Sequence, residues 1–416
     1  MATTRSASID APTDVSVLLP TPVRSGWRLV VAVALAGTLV AVAAGCSGVD
    51  RAAPTTFTVP AVASRSTTTT TFPSTPTTLP PPRAEQAGVS PGISLGGLSG
   101  TKLNDLLDAI AATGVRWLRV DFDWSVIQHR NPQQFNWTRT DRIIDRAAEH
   151  NLSIIALVTY TPAWARPFGT PDKSPPSNPD AFATFVSAAA QRYAAKGVTS
   201  WEIWNEPNVS TFWYPRPDPE GYTALLVRAA AAIRAVDATA TIISGGLSPA
   251  SDQGNGSQID VRTFLARVYA AGGGRAFDAV GMHPYSFPRL PSFPADYNAF
   301  ASTPALYQVM VDHGDAAKQI WGTEIGAPTG GGGGSVTEAV QEQILIEAYK
   351  EWNAWPFAGP LIWFAFDDAG TNPTNRDDHY GLRAADGREK PALAAFRGVV
   401  RDLIAGQPLR SESPAG

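Results

Sequence analysis

Ser153-Ile154-Ile155-Ala156-Leu157-Val158-Thr159, a helical pattern opening at Asn178-Pro179 and closing at Gly197, and then Ser200-Trp201-Glu202-Ile203-Trp204-Asn205 form the stretch on which the fold turns. Two short runs rich in β-branched and aromatic side chains flank a helix that carries its own start and stop signals. Asn178 is suited to cap the first turn, Pro179 tolerates the first helical position, and Gly197 ends the segment. No hairpin signal joins the two runs, so they are read as parallel strands with the helix as the crossover.

The same unit recurs on both sides. Further runs at Ile93–Leu95, Val115–Val120, Thr241–Ser244, Ala279–Met282, Gln319–Glu324 and Pro360–Phe366 bring the strands to eight. The first helical pattern puts Leu103, Leu106, Leu107 and Ile110 on one face, with Gly114 placed to end it. The seventh opens on Ser335-x-x-Glu338, read as a capping box. Eight strand–helix units over residues 88–405 predict an α/β fold, a (β/α)8 TIM barrel. The rival, a doubly wound open sheet, would want a glycine-rich phosphate fingerprint after its first strand, and none is there.

Upstream the texture differs. Leu29–Gly45 is apolar apart from Thr38, follows Arg24 and Arg28, and ends in Ala43-Ala44-Gly45-Cys46. That ending resembles a bacterial lipobox, in which the cysteine is lipidated after signal cleavage. The expectation is an exported protein held at the outer face of the bacterial membrane, either as a lipoprotein through Cys46 or by an uncleaved N-terminal helix. Residues 52–83 include the run Thr67–Thr71 and Pro80-Pro81-Pro82, a composition with too little apolar surface to fold. Extended at ~3.1 Å per residue, such a tether reaches on the order of 100 Å. The organisation expected is a signal or anchor at 1–46, a disordered linker at 47–87, the barrel at 88–405 and a disordered tail at 406–416.

Composition narrows the function. The 416 residues carry 33 Lys and Arg against 37 Asp and Glu, a net charge of −4 that removes the electrostatic case for nucleic-acid binding. The single cysteine rules out an intrachain disulfide and a multi-cysteine zinc site. Twelve tryptophans suit a sugar-binding protein, because indole faces stack on pyranose rings.

In a barrel of this kind, function belongs at the C-terminal ends of the strands. Trp201-Glu202-Ile203-Trp204-Asn205-Glu206-Pro207-Asn208 closes the fourth run, and Ile320-Trp321-Gly322-Thr323-Glu324-Ile325-Gly326 closes the seventh. Each brings a carboxylate to the mouth, from opposite sides. Glycosidic cleavage uses such a pair, one to protonate the leaving oxygen and one to attack the anomeric carbon. Glu202, deeper in the fourth strand, is read as a buried barrel carboxylate.

These motifs resemble glycoside hydrolase clan A, families 39 and 5 above all, a cellulase- and β-xylosidase-like group, over most of residues 88–405. The resemblance implies hydrolysis of a β-linked glycan with retained configuration, Glu206 serving as acid/base and Glu324 as nucleophile. It also implies that Arg119 lies near the nucleophile, where a guanidinium would hold the carboxylate ionised. Asn205 would bond the sugar 2-hydroxyl, His283 would face the sugar, Tyr285 would orient the nucleophile, and Trp363 would floor the subsite of the cleaved sugar. Tyr160 stands where family 5 usually offers a histidine; it is taken as substrate-binding and tilts the resemblance toward family 39. Trp124, Trp164, Phe212, Trp213 and Tyr214 are further candidates for subsite lining.

No cofactor and no metal are expected. The acidic loop from Asp367 to His379 lacks the ligand pattern of a calcium loop, and Gly330–Gly334 lacks the Lys and Ser/Thr of a phosphate cradle. The expected partners are an oligo- or polysaccharide and, through the N-terminal anchor, a membrane. Two other functions fit the same residues: a non-catalytic carbohydrate-binding barrel, and a transglycosylase that uses the same two glutamates.

Overall fold

The structure, a computed structural model, describes residues 84–92 and 95–409. The anchor segment with Cys46, the linker at 52–83 and the tail residues 410–416 lie outside the described residues. Among the described residues no helix is long and apolar enough to cross a membrane.

Eight parallel strands follow one another around a closed barrel. They are β1 (Ala87–Ser90), β2 (Trp117–Asp123), β3 (Ser153–Thr159), β4 (Ser200–Asn205), β5 (Thr241–Gly246), β6 (Ala279–Met282), β7 (Gln319–Ile325) and β8 (Ala358–Phe364), and β8 pairs back onto β1. Between and after them run α1 (Gly100–Ala111), the short α2 (Trp124–Ile127), α3 (Thr138–Glu149), α4 (Pro179–Tyr193), α5 (Pro219–Arg234), α6 (Val261–Ala270), α7 (Ala299–Asp312), α8 (Glu338–Ala354) and α9 (Pro391–Ile404).

Strand alternation sorts the apolar side chains into two layers. Ile155, Ile243, Ala279, Trp321 and Ile362, with Trp117 against them, fill the barrel interior. The other face of each strand packs on the helices, where Phe122, Trp201, Ile203 and Leu361 meet Leu107, Phe185, Leu226 and Phe396. Helix ends follow the sequence signals closely at α4. The Asn178 side chain accepts from Asp180 N at 2.9 Å, and Gly197 takes the left-handed φ of 88° that closes the segment.

Some boundaries differ from the sequence reading. The first strand is Ala87–Ser90 and not Ile93–Leu95; Leu95 sits in a 3-10 turn, and residues 93–94 lie outside the described residues. Ala-Gly-Val-Ser has little strand character, and its glycine has a packing reason. A Cβ on Gly88 would meet Ile362 Cδ1 at 2.5 Å and Trp117 Cβ at 2.6 Å. β2 runs on to Asp123, so Arg119 is mid-strand, while β8 stops at Phe364. The cap of α8 is Thr337, whose side chain accepts from Val340 N at 3.2 Å; the Ser335 hydroxyl instead donates to Gly330 O.

Candidate active site

Arg119 organises the floor of the barrel mouth. Its side chain points inward and is buried, and its planar fork reaches two other strands, β4 and β7. Nε donates to Glu202 Oε2 at 2.6 Å, Nη2 donates to Glu202 Oε1 at 3.2 Å and to Asn205 Oδ1 at 3.0 Å, and Nη1 donates to Glu324 Oε1. A guanidinium presents its donors in a fixed plane, so it can hold two carboxylates and an amide at once where an ammonium could not. Glu202 is fully buried, as expected of a barrel carboxylate. It accepts two further bonds, from Gly246 N and from the Thr323 hydroxyl, each 2.9 Å. Such saturation is what makes a buried charge tolerable.

Glu206 and Glu324 meet across the mouth through His283. His283 Nδ1 lies 2.8 Å from Glu206 Oε1 and 3.5 Å from Glu324 Oε2. The Tyr285 hydroxyl donates to Glu324 Oε2 at 3.0 Å. Both glutamates keep a small exposed fraction at the mouth, 13% and 15%, while His283 is fully buried. The approach of one ligand atom each from Glu206, His283 and Glu324 to within 4.8 Å could hold a metal ion. However, Glu324 already spends one oxygen on Arg119 and the other on Tyr285.

Electrostatics separate the groups. Burial acts to raise Glu324, but His283, Arg119 and the Tyr285 hydroxyl outweigh it and hold its carboxyl below the usual range. Burial opposes charge on His283, yet the carboxylates of Glu324 and Glu206 win and raise it. Tyr285 and Tyr160 are both pushed well above the ordinary phenol range, by burial first and by nearby carboxylates second. Both therefore act as neutral hydroxyls.

The backbone is strained at the same place. Tyr160, Trp204 and Glu206 hold positive φ angles of 59°, 74° and 45° without being glycine. Such conformations cost on the order of 1–3 kcal/mol each and persist only where packing enforces them. Here the Trp204 indole donates to Phe212 O at 2.7 Å, and Asn208 pins the following loop by accepting from Ser248 N and donating to Ser248 O, both at 2.9 Å. Asn205 is buried with its carbonyl on Arg119, which leaves its amide nitrogen without a partner among the described residues.

Trp363 is not where the resemblance implied. Ile362 belongs to the interior layer, so its neighbour Trp363 points outward, fully buried among the helix-facing core. The inward aromatic at the end of β8 is Phe364, half-buried and edge-on to Tyr380 at 5.4 Å between ring centres. Trp124 and Trp213 are likewise core residues, whereas Tyr214 is exposed and Trp164 and Phe212 are half-buried. Tyr160 lines a cavity beside Arg119, stacked on Phe212 with ring centres 6.5 Å apart.

Asp121 is a further residue of the site that no sequence motif marks. It sits two residues beyond Arg119, and strand alternation puts it on the same face, lining that cavity without a hydrogen bond among the described residues. Burial, reinforced by Glu324 and only partly offset by Arg119, pushes it up to about 6. The available signal was its period-two spacing from Arg119.

Fold and site together define a parallel (β/α)8 barrel with a guanidinium-held carboxylate facing a second carboxylate at its C-terminal mouth. A family model described as cellulase (glycosyl hydrolase family 5) matches residues 83–275, a span that holds Arg119, Asn205 and Glu206 and ends before His283, Tyr285 and Glu324. Among solved structures, a family 39 glycoside hydrolase from Bacteroides cellulosilyticus WH2 is 21% identical with a TM-score of 0.60, over 76% of this chain and 63% of that one. A monomeric beta-xylosidase from Caulobacter crescentus CB15 is 18% identical with a TM-score of 0.57, over 77% and 69%. A family 5 subfamily 18 enzyme from Streptomyces cattleya, solved with GlcNAc, is 19% identical with a TM-score of 0.59, over 80% and 82%. At these identities the structures show a shared fold, and the chain spans less than two thirds of the family 39 enzyme's length. No curated protein matches the chain. The chain thus resembles glycoside hydrolase clan A in its barrel and in its strand-end motifs, and the family model supports a glycosidase.

Proposed function

We propose that this protein is a retaining glycosidase that cleaves a β-linked extracellular or cell-wall glycan by double displacement. The observation that carries the reading is the approach of Glu206 and Glu324. An oxygen of each, together with His283 Nδ1, lies within 4.8 Å of the others. Retaining enzymes hold their two carboxyl groups about 5–5.5 Å apart, whereas inverting enzymes leave roughly 6.5–9.5 Å for a water.

In the first step a Glu324 oxygen attacks the anomeric carbon as the glycosidic bond breaks, and Glu206 gives its proton to the departing oxygen. In the second, Glu206 takes a proton from water, the water oxygen bonds to the anomeric carbon, and Glu324 leaves as a carboxylate. Arg119 and Tyr285 keep Glu324 anionic and aimed. The free amide of Asn205 is suited to the sugar 2-hydroxyl, a contact that strengthens in the transition state.

Export and tethering at the outer membrane face rest on Leu29–Gly45 and Cys46. Intact mass of the membrane-extracted protein tests them: a lipidated terminus at Cys46 fits a lipoprotein, and an intact Met1 fits a helix anchor. The catalytic reading is tested by proton NMR of the first product formed from an aryl β-glycoside. The β-anomer should appear first, and the α-anomer first would overturn retention.

A further inference from the structure

A cavity of about 1140 Å³ opens beside the reaction centre, running from Arg119 and Asp121 on β2 to the start of α3. That is more room than a single sugar pocket needs. Its two ends differ in charge. Asp121 and Asp123 lie at the inner end, and Asp123 is already engaged, accepting from the Ser125 hydroxyl at 2.6 Å and from Val126 N at 3.3 Å. His129, Arg130 and Arg139 also line the cavity, and none has an ion pair or hydrogen bond among the described residues. Several surface arginines elsewhere are paired, as Arg192 is with Asp141, Arg228 with Asp180 and Arg267 with Glu220, while Arg216 and Arg275, like Arg130 and Arg139, have no ion pair among the described residues.

The start of α3 points the same way. Trp137 at its N-cap supplies no side-chain bond, as Lys390 supplies none at α9, whereas α1, α4, α5, α6, α7 and α8 carry Ser, Asn, Asp or Thr caps. Asn136 Oδ1 accepts from Thr138 N at 3.2 Å, which leaves the amides of Arg139 and Thr140 without partners among the described residues. Thr140 also lines the cavity. It is 4% exposed, and its hydroxyl makes no hydrogen bond among the described residues. A nearly buried threonine whose hydroxyl has no partner among the described residues, at a helix start capped only through Asn136 and sharing its cavity with the guanidinium groups of Arg130 and Arg139, is a set of donors lacking an acceptor.

We propose that this cavity is a second binding site, continuous with the reaction centre, for an anionic substituent of the glycan, a carboxylate or a sulfate or phosphate ester. Sugar hydroxyls face the acidic inner end, while the anion sits at the start of α3 between Arg130 and Arg139. The inference deepens the glycosidase reading and rests on it for the identity of the ligand as a glycan.

Calorimetric titration of the full chain tests it, using two pairs of probes. One is a glucuronic-acid-substituted xylo-oligosaccharide with its neutral parent, the other a sulfated galacto-oligosaccharide with its neutral parent. The acidic member of at least one pair should bind roughly ten-fold tighter, an advantage that shrinks with added salt. A preference confined to one pair tells carboxylate from sulfate. The double substitution Arg130→Ala with Arg139→Ala should bring the ratio close to one, and Thr140→Val should reduce it several-fold. Equal affinities in both pairs, no binding of any probe, or an advantage that survives the double substitution would overturn the proposal. Hydrolysis of neutral aryl β-glycosides by the unaltered protein is read separately. Turnover without an acid preference sinks only the second site, and an acid preference without turnover sinks only the glycosidase.

Discussion

A Cβ on Gly246 would lie 2.2 Å from His283 Nε2 and 2.5 Å from Thr323 Oγ1, so the end of β5 is bare because the imidazole occupies that space. The same residue donates its N–H to Glu202 and accepts from Glu206 N at 3.0 Å. Gly246→Ala should therefore displace His283 from between the two glutamates while leaving the barrel folded. A displacement near 1 Å in a reacting constellation costs about 100-fold in rate. Steady-state kinetics should show most of the loss in kcat, with far-ultraviolet circular dichroism unchanged. Full activity in this variant would mean that the imidazole has no part in placing the carboxylates.

Asp121 gives a stability prediction with a definite sign. Its carboxyl is raised from 3.8 to about 6 by burial, so ionisation is harder in the folded state than in the unfolded chain. Its contribution is most favourable at low pH and is lost as pH rises through about 6. Asp121→Asn removes that loss. At about pH 8 the variant should be more stable by about 1–2 kcal/mol, after allowing for solvent screening of a group that is not fully buried, and at about pH 4 it should gain nothing. Urea unfolding at the two pH values measures the difference. A variant less stable at the higher pH would contradict this account of the residue.

Arg119 carries both fold and chemistry, and substitutions should separate them. Arg119→Ala leaves Glu202 buried without its cation, at a cost of about 3–5 kcal/mol in urea unfolding. Arg119→Lys keeps a charge but cannot span Glu202, Asn205 and Glu324, so it should recover only part of that stability. In the Lys variant Glu324 loses a directed donor, its carboxyl moves up, and the acid limb of kcat/KM against pH should shift to higher pH. An unmoved acid limb would show that the guanidinium does not hold Glu324 ionised.

The barrel was legible because its strands and helices carry different periods, and because turn chemistry such as Asn178-Pro179 and Gly197 marks the crossovers. The paired glutamates were legible from their place at strand ends. Two kinds of feature were not. Along Leu361-Ile362-Trp363-Phe364 both faces of the strand are apolar, so nothing in the pattern tells inward from outward, and Trp363 and Phe364 are equal candidates for the mouth until the register is known. The first strand hid behind Gly88, a residue that weakens strand character yet is required by the packing of Ile362 and Trp117. The cavity at the start of α3 was illegible for another reason: it is built from side chains of β2, the following loop and α3, and no local motif joins them.

The roles of the two glutamates are the central claim, and azide rescue with stereochemical readout tests them most directly. With an aryl β-glycoside bearing a very acidic leaving group, Glu324→Ala should lose turnover and regain it with azide, giving the glycosyl azide of inverted configuration. Glu206→Ala should still be glycosylated by that substrate, stall at deglycosylation, and give with azide a product of retained configuration. Swapped stereochemistry between the two variants would reverse the assignment, and undiminished activity in both would contradict the glycosidase mechanism itself.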